Sequence, residues 1–221
     1  MLKSVCFCLI VILISGCASS KITQQFPLKS GNYLVKNPDA KPYKAYLQIQ
    51  EDSLSVYKRQ PGGSYAIPIA MSNNSILIDR GLDIDVLTVP FKFRPSVDGF
   101  PRQLTADFNG NVFVGFRTDR YSTHLVETPA GIKKDMKHRA FTMGMFGGIG
   151  TTFVSQWTTN SGTTDEYQGF ILSHGLSAMV GIDNLTVGLG VGWDFLTDRD
   201  KDIWIYQNMP WFGLTLSLNI N

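Results

Sequence analysis

Leu185-Thr186-Val187-Gly188-Leu189-Gly190-Val191-Gly192-Trp193-Asp194-Phe195 is the stretch on which the fold turns. Every odd position is large and apolar, and every even one is Thr, Gly or Asp. Successive side chains of a strand point to opposite faces. A period of two held this long therefore dictates a β-strand with one greasy face and one small, mostly uncharged face. The segment before it repeats the pattern: Phe170, Leu172, His174, Leu176, Ala178, Val180 and Ile182 alternate with Gly169, Ile171, Ser173, Gly175, Ser177, Met179 and Gly181. Further upstream Phe141, Met143, Met145, Gly147, Ile149 and Phe153 share a face. Downstream Phe212, Leu214, Leu216, Leu218 and Ile220 do the same. Four strands follow. Asp183-Asn184, between Ile182 and Leu185, suits a two-residue hairpin that keeps both apolar faces on one side. The other connections, residues 158–166 and 197–202, are longer and polar. Trp157, Tyr167, Trp193, Trp204, Tyr206 and Trp211 gather near them.

A short turn at one end, polar loops at the other, apolar faces about ten residues long and an aromatic belt are features of outer-membrane strands. The fold class expected is all-β: an antiparallel meander forming all or part of an outer-membrane-type β-barrel, preceded by a β-rich domain. The alternative is a soluble sandwich or barrel in which the same faces form the core, and alternation by itself does not separate the two. The Gly-rich second face suits close backbone approach, as in a narrow barrel. On the membrane reading Val187→Arg costs roughly 2–4 kcal/mol if it faces mid-bilayer lipid, and Gly188→Ser is milder. The chain ends Leu218-Asn219-Ile220-Asn221, without the terminal aromatic common in such barrels. Four strands alone also leave two open edges, which lipid does not tolerate. Either strands of residues 31–126 complete a single-chain barrel, or several copies each contribute four.

Charge supports a division of the chain. Residues 17–139 carry 17 basic and 11 acidic side chains, whereas residues 140–221 carry two basic and seven acidic ones. In the second part only Asp194 falls inside an apolar-periodic segment, so something other than water is expected to cover both faces. Residues 127–139, with Pro129, Gly131 and the cluster Lys133, Lys134, Lys137, His138 and Arg139, read as a basic linker able to meet anionic headgroups or simply to be solvated. The formal net charge of +2 gives no electrostatic footprint of a nucleic-acid binder, and nucleic acid is not an expected partner.

The first part reads as β-rich. Residues 46–50 and 53–57 flank Glu51-Asp52 as a hairpin, and residues 65–70, 75–79 and 83–93 are further strand candidates. Asn109-Gly110 is expected to turn between strands 104–108 and 112–116, because both residues accept positive φ. Pro61-Gly62-Gly63 and residues 95–101 are breakers.

The N-terminus reads as an address. Lys3 precedes an apolar run over residues 5–14, the length of a secretory signal core and too short for a spanning helix. The next residues, Ile14-Ser15-Gly16-Cys17, resemble the lipobox of bacterial lipoproteins. That resemblance implies removal of residues 1–16 and acylation of Cys17, and several acyl chains together anchor firmly. Ala18 and Ser19 carry no Asp-type inner-membrane retention signal, so the outer membrane is the expected location, with residues 31–126 in the periplasm. Cys6 and Cys8 leave with the signal, which excludes disulfides and cysteine metal sites from the mature chain. A lipidated chain with a periplasmic domain and a few spanning strands is similar in architecture to lipidated export channels. The tail Trp204-Ile205-Tyr206-Gln207…Pro210-Trp211-Phe212-Gly213-Leu214 resembles uncharacterised envelope proteins of Bacteroidetes-type bacteria.

The expected domains are a signal peptide (1–16), a lipidated tether (17–30), a β-rich periplasmic domain (31–126), a basic linker (127–139) and a four-stranded antiparallel region (140–221). Chemistry is sparse. His124, His138 and His174 lack a second histidine or carboxylate at ligand spacing and read as satisfied or solvated. Asp198-Arg199-Asp200-Lys201-Asp202 imitates the start of a calcium loop. It has Ile203 where Gly belongs and Met209 where Glu belongs, so it reads as a solvated loop. Asp83 and Asp85 read as solvent-facing strand positions. No catalytic residue, cofactor or metal site is expected, and Cys17 is the one assigned site. The function expected is an outer-membrane lipoprotein with a structural or pore-forming role through oligomerisation of its C-terminal strands. Its partners would be the membrane, its own copies or an export machine. The alternative is a lipid-anchored soluble β module that binds a partner or ligand in the envelope.

Overall fold

The period-two segments pair into one antiparallel sheet. The computed structural model describes residues 28–38, 40–50, 53–58, 75–97, 99–129, 131–182 and 185–218. The signal peptide, Cys17, residues 65–70 and the Glu51-Asp52 and Asp183-Asn184 turns lie outside the described residues. The strands are β1 (Gly31–Lys36), β2 (Tyr43–Gln50), β3 (Ser53–Lys58), β4 (Ile76–Arg94), β5 (Gln103–Thr105), β6 (Asn109–Thr128), β7 (Gly131–Val154), β8 (Tyr167–Ile182), β9 (Leu185–Leu196) and β10 (Pro210–Leu218). Among the described residues one 3-10 turn, Trp157–Thr159, follows β7.

The four expected C-terminal strands are β7 to β10, and Ile182 pairs with Leu185 as the two-residue turn requires. Their edges close within the chain. The path runs β10-β9-β8-β7-β6-β4-β1-β2-β3, and β10 pairs back onto β4, so β4, β6, β7, β8, β9 and β10 form a closed ring of six strands. Of the two ways to remove the open edges of β7 and β10, pairing with N-terminal strands is the one found.

β4 makes this possible by changing partner along its length. Leu34, Val35 and Lys36 of β1 pair with Ile78, Leu77 and Ile76 at its start, and β10 pairs with residues 86–93 at its end. Between Leu214 and Leu216 the β10–β4 register slips by one residue on β4, opposite Val89 and Pro90. Proline has no N–H to give a ladder and belongs at such a bulge. The slip also flips the phase of β4. Leu82, Ile84 and Val86 face outward before it, Phe91 and Phe93 after it, and the buried residues change from Asp83, Asp85, Leu87 and Val89 to Lys92 and Arg94.

Two expectations about organisation are corrected. Residues 127–139 are not a linker: Glu127 pairs with Ile132 and Thr128 with Gly131, making the end of a β6–β7 hairpin whose register runs unbroken to Asn109 and Gly150. A basic run with one Gly and one Pro tolerates a strand when a neighbour supplies its hydrogen bonds. Nor is Asn109-Gly110 a turn. It begins β6, and the Asn109 side chain bonds both the N–H and the carbonyl of Val89 at 2.7 Å, filling the ladder at the bulge. The turn lies upstream, between β4 and β5, where Val97 pairs with Phe100 and Gly99 has φ of 79°.

Three apolar clusters divide the interior by level. Under β1–β3 lie Tyr33, Val35, Leu47, Val56, Leu77 and Tyr121, with Leu28, which falls in the expected tether. Midway through the ring are Leu87, Val89, Phe113, Phe146, Met179 and Trp211. At the loop end Val154, Ile171 and Leu196 meet Trp204, Ile205 and Tyr206. These last three belong to the connection 197–209, which folds back into the mouth: Ile205 N–H donates to Thr158 O at 3.0 Å and Asn208 N–H to Asp194 O at 3.0 Å.

Candidate functional site: an apolar outer wall around a polar interior

The alternation has its greasy face outward. Met143, Met145, Leu172, Leu176, Val180, Leu189, Val112, Val114, Phe116, Leu82, Ile84 and Phe212 are all exposed on the wall of the ring. The row from Phe141 to Phe153 on β7, at ~3.3 Å per residue and a tilt near ~45°, makes a band roughly 28 Å tall. Among the described residues His174 is the one ionisable group on this wall, and its ring stacks on Trp193 at 5.8 Å. Charge begins at the β1–β3 end of the band, where Asp79, Arg80, Arg120, Lys137 and Arg139 are exposed. Contiguous exposed apolar surface on this scale marks contact with a partner or with lipid. Among the described residues no helix is long and apolar enough to cross a membrane, a statement that does not bear on strands.

The inner face mixes small and polar residues with a few large apolar ones, and side chains occupy it along its length. Six strands enclose less room than the eight that side chains just fill, and glycine supplies the difference. A Cβ on Gly175 would lie 2.3 Å from the Val191 carbonyl oxygen and 2.6 Å from the Phe146 ring, and one on Gly192 would lie 2.4 Å from the Trp211 ring. Gly188 is equally tight, 2.3 Å from the Ala178 oxygen, so the expectation that Gly188→Ser is mild does not hold. The aromatic belt is also corrected in part. Trp157 is exposed, but Trp204, Tyr206 and Trp211 are buried inside the ring. β10 places Trp211 in phase with Gly213, Thr215 and Ser217, all inward, opposite the gap that Gly192 leaves.

Asp194 is the hub of the upper interior. Its carboxylate takes Lys92 Nζ at 3.0 Å, an Arg94 Nη2 hydrogen bond and Ser173 Oγ at 2.6 Å. Lys92 Nζ also lies 4.7 Å from the Trp211 ring, and the Arg94 guanidinium 5.0 and 5.4 Å from the Tyr206 and Trp204 rings. Removing these ions from water costs several kcal/mol apiece, so a sealed site holds them only because each finds a partner. Lower down, Ser217 Oγ donates to Asp85 at 3.0 Å and Thr142 Oγ1 to Asp83 at 3.0 Å. Asp83 and Asp85 are therefore buried, not solvent-facing, because β4 is a wall strand whose odd positions at that level point inward.

At the β1–β3 end a polar chain leads out of the ring. Arg117 Nε reaches Asp119 at 3.0 Å, Asp119 reaches His138 Nε2 at 2.6 Å, and the His138 ring stacks on Tyr121 at 4.6 Å. Burial opposes ionisation of Asp119, but the His138 bond and the Arg117 guanidinium outweigh it and hold the carboxyl below its ordinary range. Burial, with Asp119 beside it, pushes the Tyr121 phenol well up. His138 thus has partners that an isolated linker position would not supply, whereas His124 is exposed on β6.

The calcium-like loop turns its carboxylates to protein donors: Asp198 accepts from Phe170 N–H at 2.8 Å and Asp200 from the Tyr167 hydroxyl at 3.0 Å. Among the described residues no group of three or more His, Cys, Asp and Glu gathers as a metal site. The residues missed from sequence are Lys92 and Arg94. Their signal was the run Phe91-Lys92-Phe93-Arg94, alternating as cleanly as any strand with the cations on the face opposite the phenylalanines. Comparison of this chain with protein-family models, with curated proteins and with solved structures found no match.

Proposed function

We propose that this protein is an outer-membrane lipoprotein whose six-stranded ring sits in the bilayer as a filled barrel and holds the β1–β3 extension at the periplasmic side. Its role is structural: an anchor and platform, with Cys17 acylation as a second attachment. The single observation that carries this reading is the inversion of the ring. Large apolar residues face out around the circumference, while Asp83, Asp85, Lys92, Arg94 and Asp194 are buried within beside a small apolar cluster. Water rewards the opposite arrangement; hydrocarbon rewards this one.

A pore through the ring is not favoured, because Phe113, Phe146, Met179 and Trp211 cluster across its middle and Trp204, Ile205 and Tyr206 fill its mouth. Nor is oligomerisation needed for edge closure. The soluble-module alternative called for the greasy faces as its core, and here they are the wall.

Cys17→Ala separates anchor from barrel. After signal removal the variant is expected to stay with the membrane fraction through carbonate and high-salt washing and to need detergent for release. A variant that emerges freely soluble and monodisperse refutes the embedded ring and leaves the acyl tether as the sole attachment.

A further inference from the structure

The wall of the ring has a defect at the loop end, and the defect is a cavity. β5 pairs with β4 at Lys92, Phe93 and Arg94, continuing the edge that β6 leaves after Leu87. β6 begins its ladder with β7 only at Asn109 and Gly150, and no described ladder joins β5 to the last residues of β7. A cavity of about 480 Å³ occupies this place. It is lined on the outside by Leu104, Phe153 and Trp157, which are exposed on the wall, and on the inside by Arg94, Gln103 and Asp107.

Arg94 is 1% exposed, and among the described residues its Nε and Nη1 have no hydrogen-bond acceptor. Nη2 is committed to Asp194, and the Tyr206 and Trp204 rings lie within cation–π range of the guanidinium. Asp107, a half-buried residue, lines the same cavity, and its Oδ2 is covered yet has no donor within hydrogen-bond geometry among the described residues. A buried cation and a half-buried carboxylate therefore both leave valence unfilled beside one space. A buried donor without an acceptor costs about 1–3 kcal/mol, more when charged, and a suitable ligand recovers it.

Charge fixes the class of that ligand. Lys92 and Arg94 balance Asp194 and Asp107, so a ligand with net charge would leave an uncompensated ion beside the buried Arg94–Asp194 pair, whereas a zwitterion would not. We propose that this cavity binds the zwitterionic headgroup of a phospholipid, with the phosphate at Arg94, the ammonium at Asp107 and the acyl chains leaving past Leu104, Phe153 and Trp157 into the bilayer. The path of the chains rests on the membrane reading above. Recognition of the headgroup does not.

The test uses the mature full-length protein in maltoside micelles, with tryptophan emission and melting temperature as readouts, since Trp157 lines the cavity and Trp204 lies behind Arg94. Dihexanoyl phosphatidylethanolamine is expected to shift both saturably and to bind about tenfold tighter than dihexanoyl phosphatidylglycerol, the difference one uncompensated charge makes. Phosphoethanolamine without chains is expected to compete at higher concentration, which assigns recognition to the headgroup; competition at equal concentration identifies a free phosphoethanolamine-type solute as the occupant instead of a lipid. Arg94→Gln abolishes the shift but also loosens Asp194, so Asp107→Asn carries the decision: its fold is retained and its preference between the two lipids drops to within about threefold. The proposal is overturned by the absence of a saturable shift, by phosphatidylglycerol binding as tightly as phosphatidylethanolamine, or by an unchanged preference in Asp107→Asn. All of these outcomes are read in micelles and are independent of the Cys17→Ala partition.

Discussion

Leu176→Arg places a charge where the wall is predicted to meet the middle of the bilayer. Leu176 is 53% exposed and pairs with Met145 on one side and Val191 on the other. The outward apolar row of β8 runs from Phe170 to Val180. At ~3.3 Å per residue and a ~45° tilt, Leu176 lies about 14 Å below the upper limit of that row and about 9 Å above the lower one. It is thus within roughly 3 Å of the centre. An arginine on the lipid face near that depth costs about 2–4 kcal/mol, a loss of roughly 30- to 900-fold in the folding equilibrium. On a wall facing water, replacing a half-exposed leucine changes stability by no more than about 0.5 kcal/mol. The two cases differ by a factor that guanidinium titration of folding into phospholipid vesicles resolves, with the folded fraction read from heat-dependent gel mobility. A change below about 0.5 kcal/mol in vesicles refutes the assignment of faces. So does an equal loss in vesicles and in aqueous buffer, because that penalty owes nothing to hydrocarbon.

Asp194→Asn strips Lys92 and Arg94 of their shared counter-charge inside the ring and is expected to cost about 3–5 kcal/mol in unfolding free energy; adding Lys92→Met should return part of it, and strict additivity would show that the ions do not interact. Asp119, held below its ordinary range by His138 and Arg117, contributes stability that is complete above the unfolded carboxyl value near ~3.9 and is lost as pH falls through the lower folded value. Melting temperature is therefore expected to fall on acidification through that window in the wild type and to fall less steeply in Asp119→Asn. Superimposable profiles would remove Asp119 from the account.

The strands of the second half were legible because their period never breaks. From Phe141 to Phe153, and again along β8, β9 and β10, one parity is apolar except at Thr151 and His174, and the structure keeps that parity on one face. The ring's other two strands were legible only in pieces, residues 75–79 and 83–93 of β4 and 112–116 of β6, for physical reasons. β4 carries a bulge at Pro90 that inverts its phase, so Ile84 and Phe91 share the outer wall although a constant period puts them on opposite faces. Counting alternation finds strands but steps over the one residue that changes sides. Asn109-Gly110 carried a strong local turn signal, overridden by the Asn109 side chain bonding the backbone at that bulge. Residues 127–139 read as a linker because their sequence is polar and basic with no apolar alternation, while the hydrogen bonds that make them a strand come from the partner β6. Asp83 and Asp85 were visible as a pair, but their direction depends on β4 belonging to the ring, a long-range fact that no local pattern contains.

The continuity of β4, β6 and β7 alters what the two halves of the chain are. β7 alone runs from Gly131 to Val154, crossing from the charged end into the apolar wall without a break in its pairing to β6. The region under β1–β3 is therefore not a separate body on a flexible tether but an extension of the wall, seated on the same ladders and closed by its own apolar cluster around Leu47 and Tyr121. A rigid extension of this kind transmits position: whatever holds the ring also fixes the height and tilt of β1–β3 relative to it, which a linker would not do. The Arg117–Asp119–His138–Tyr121 chain sits where wall becomes extension, tying β6 to β7 at the level where the apolar wall gives way to exposed charge. On the membrane reading proposed above, continuous strands, a filled interior and a charged collar suit a platform of fixed geometry better than a conduit.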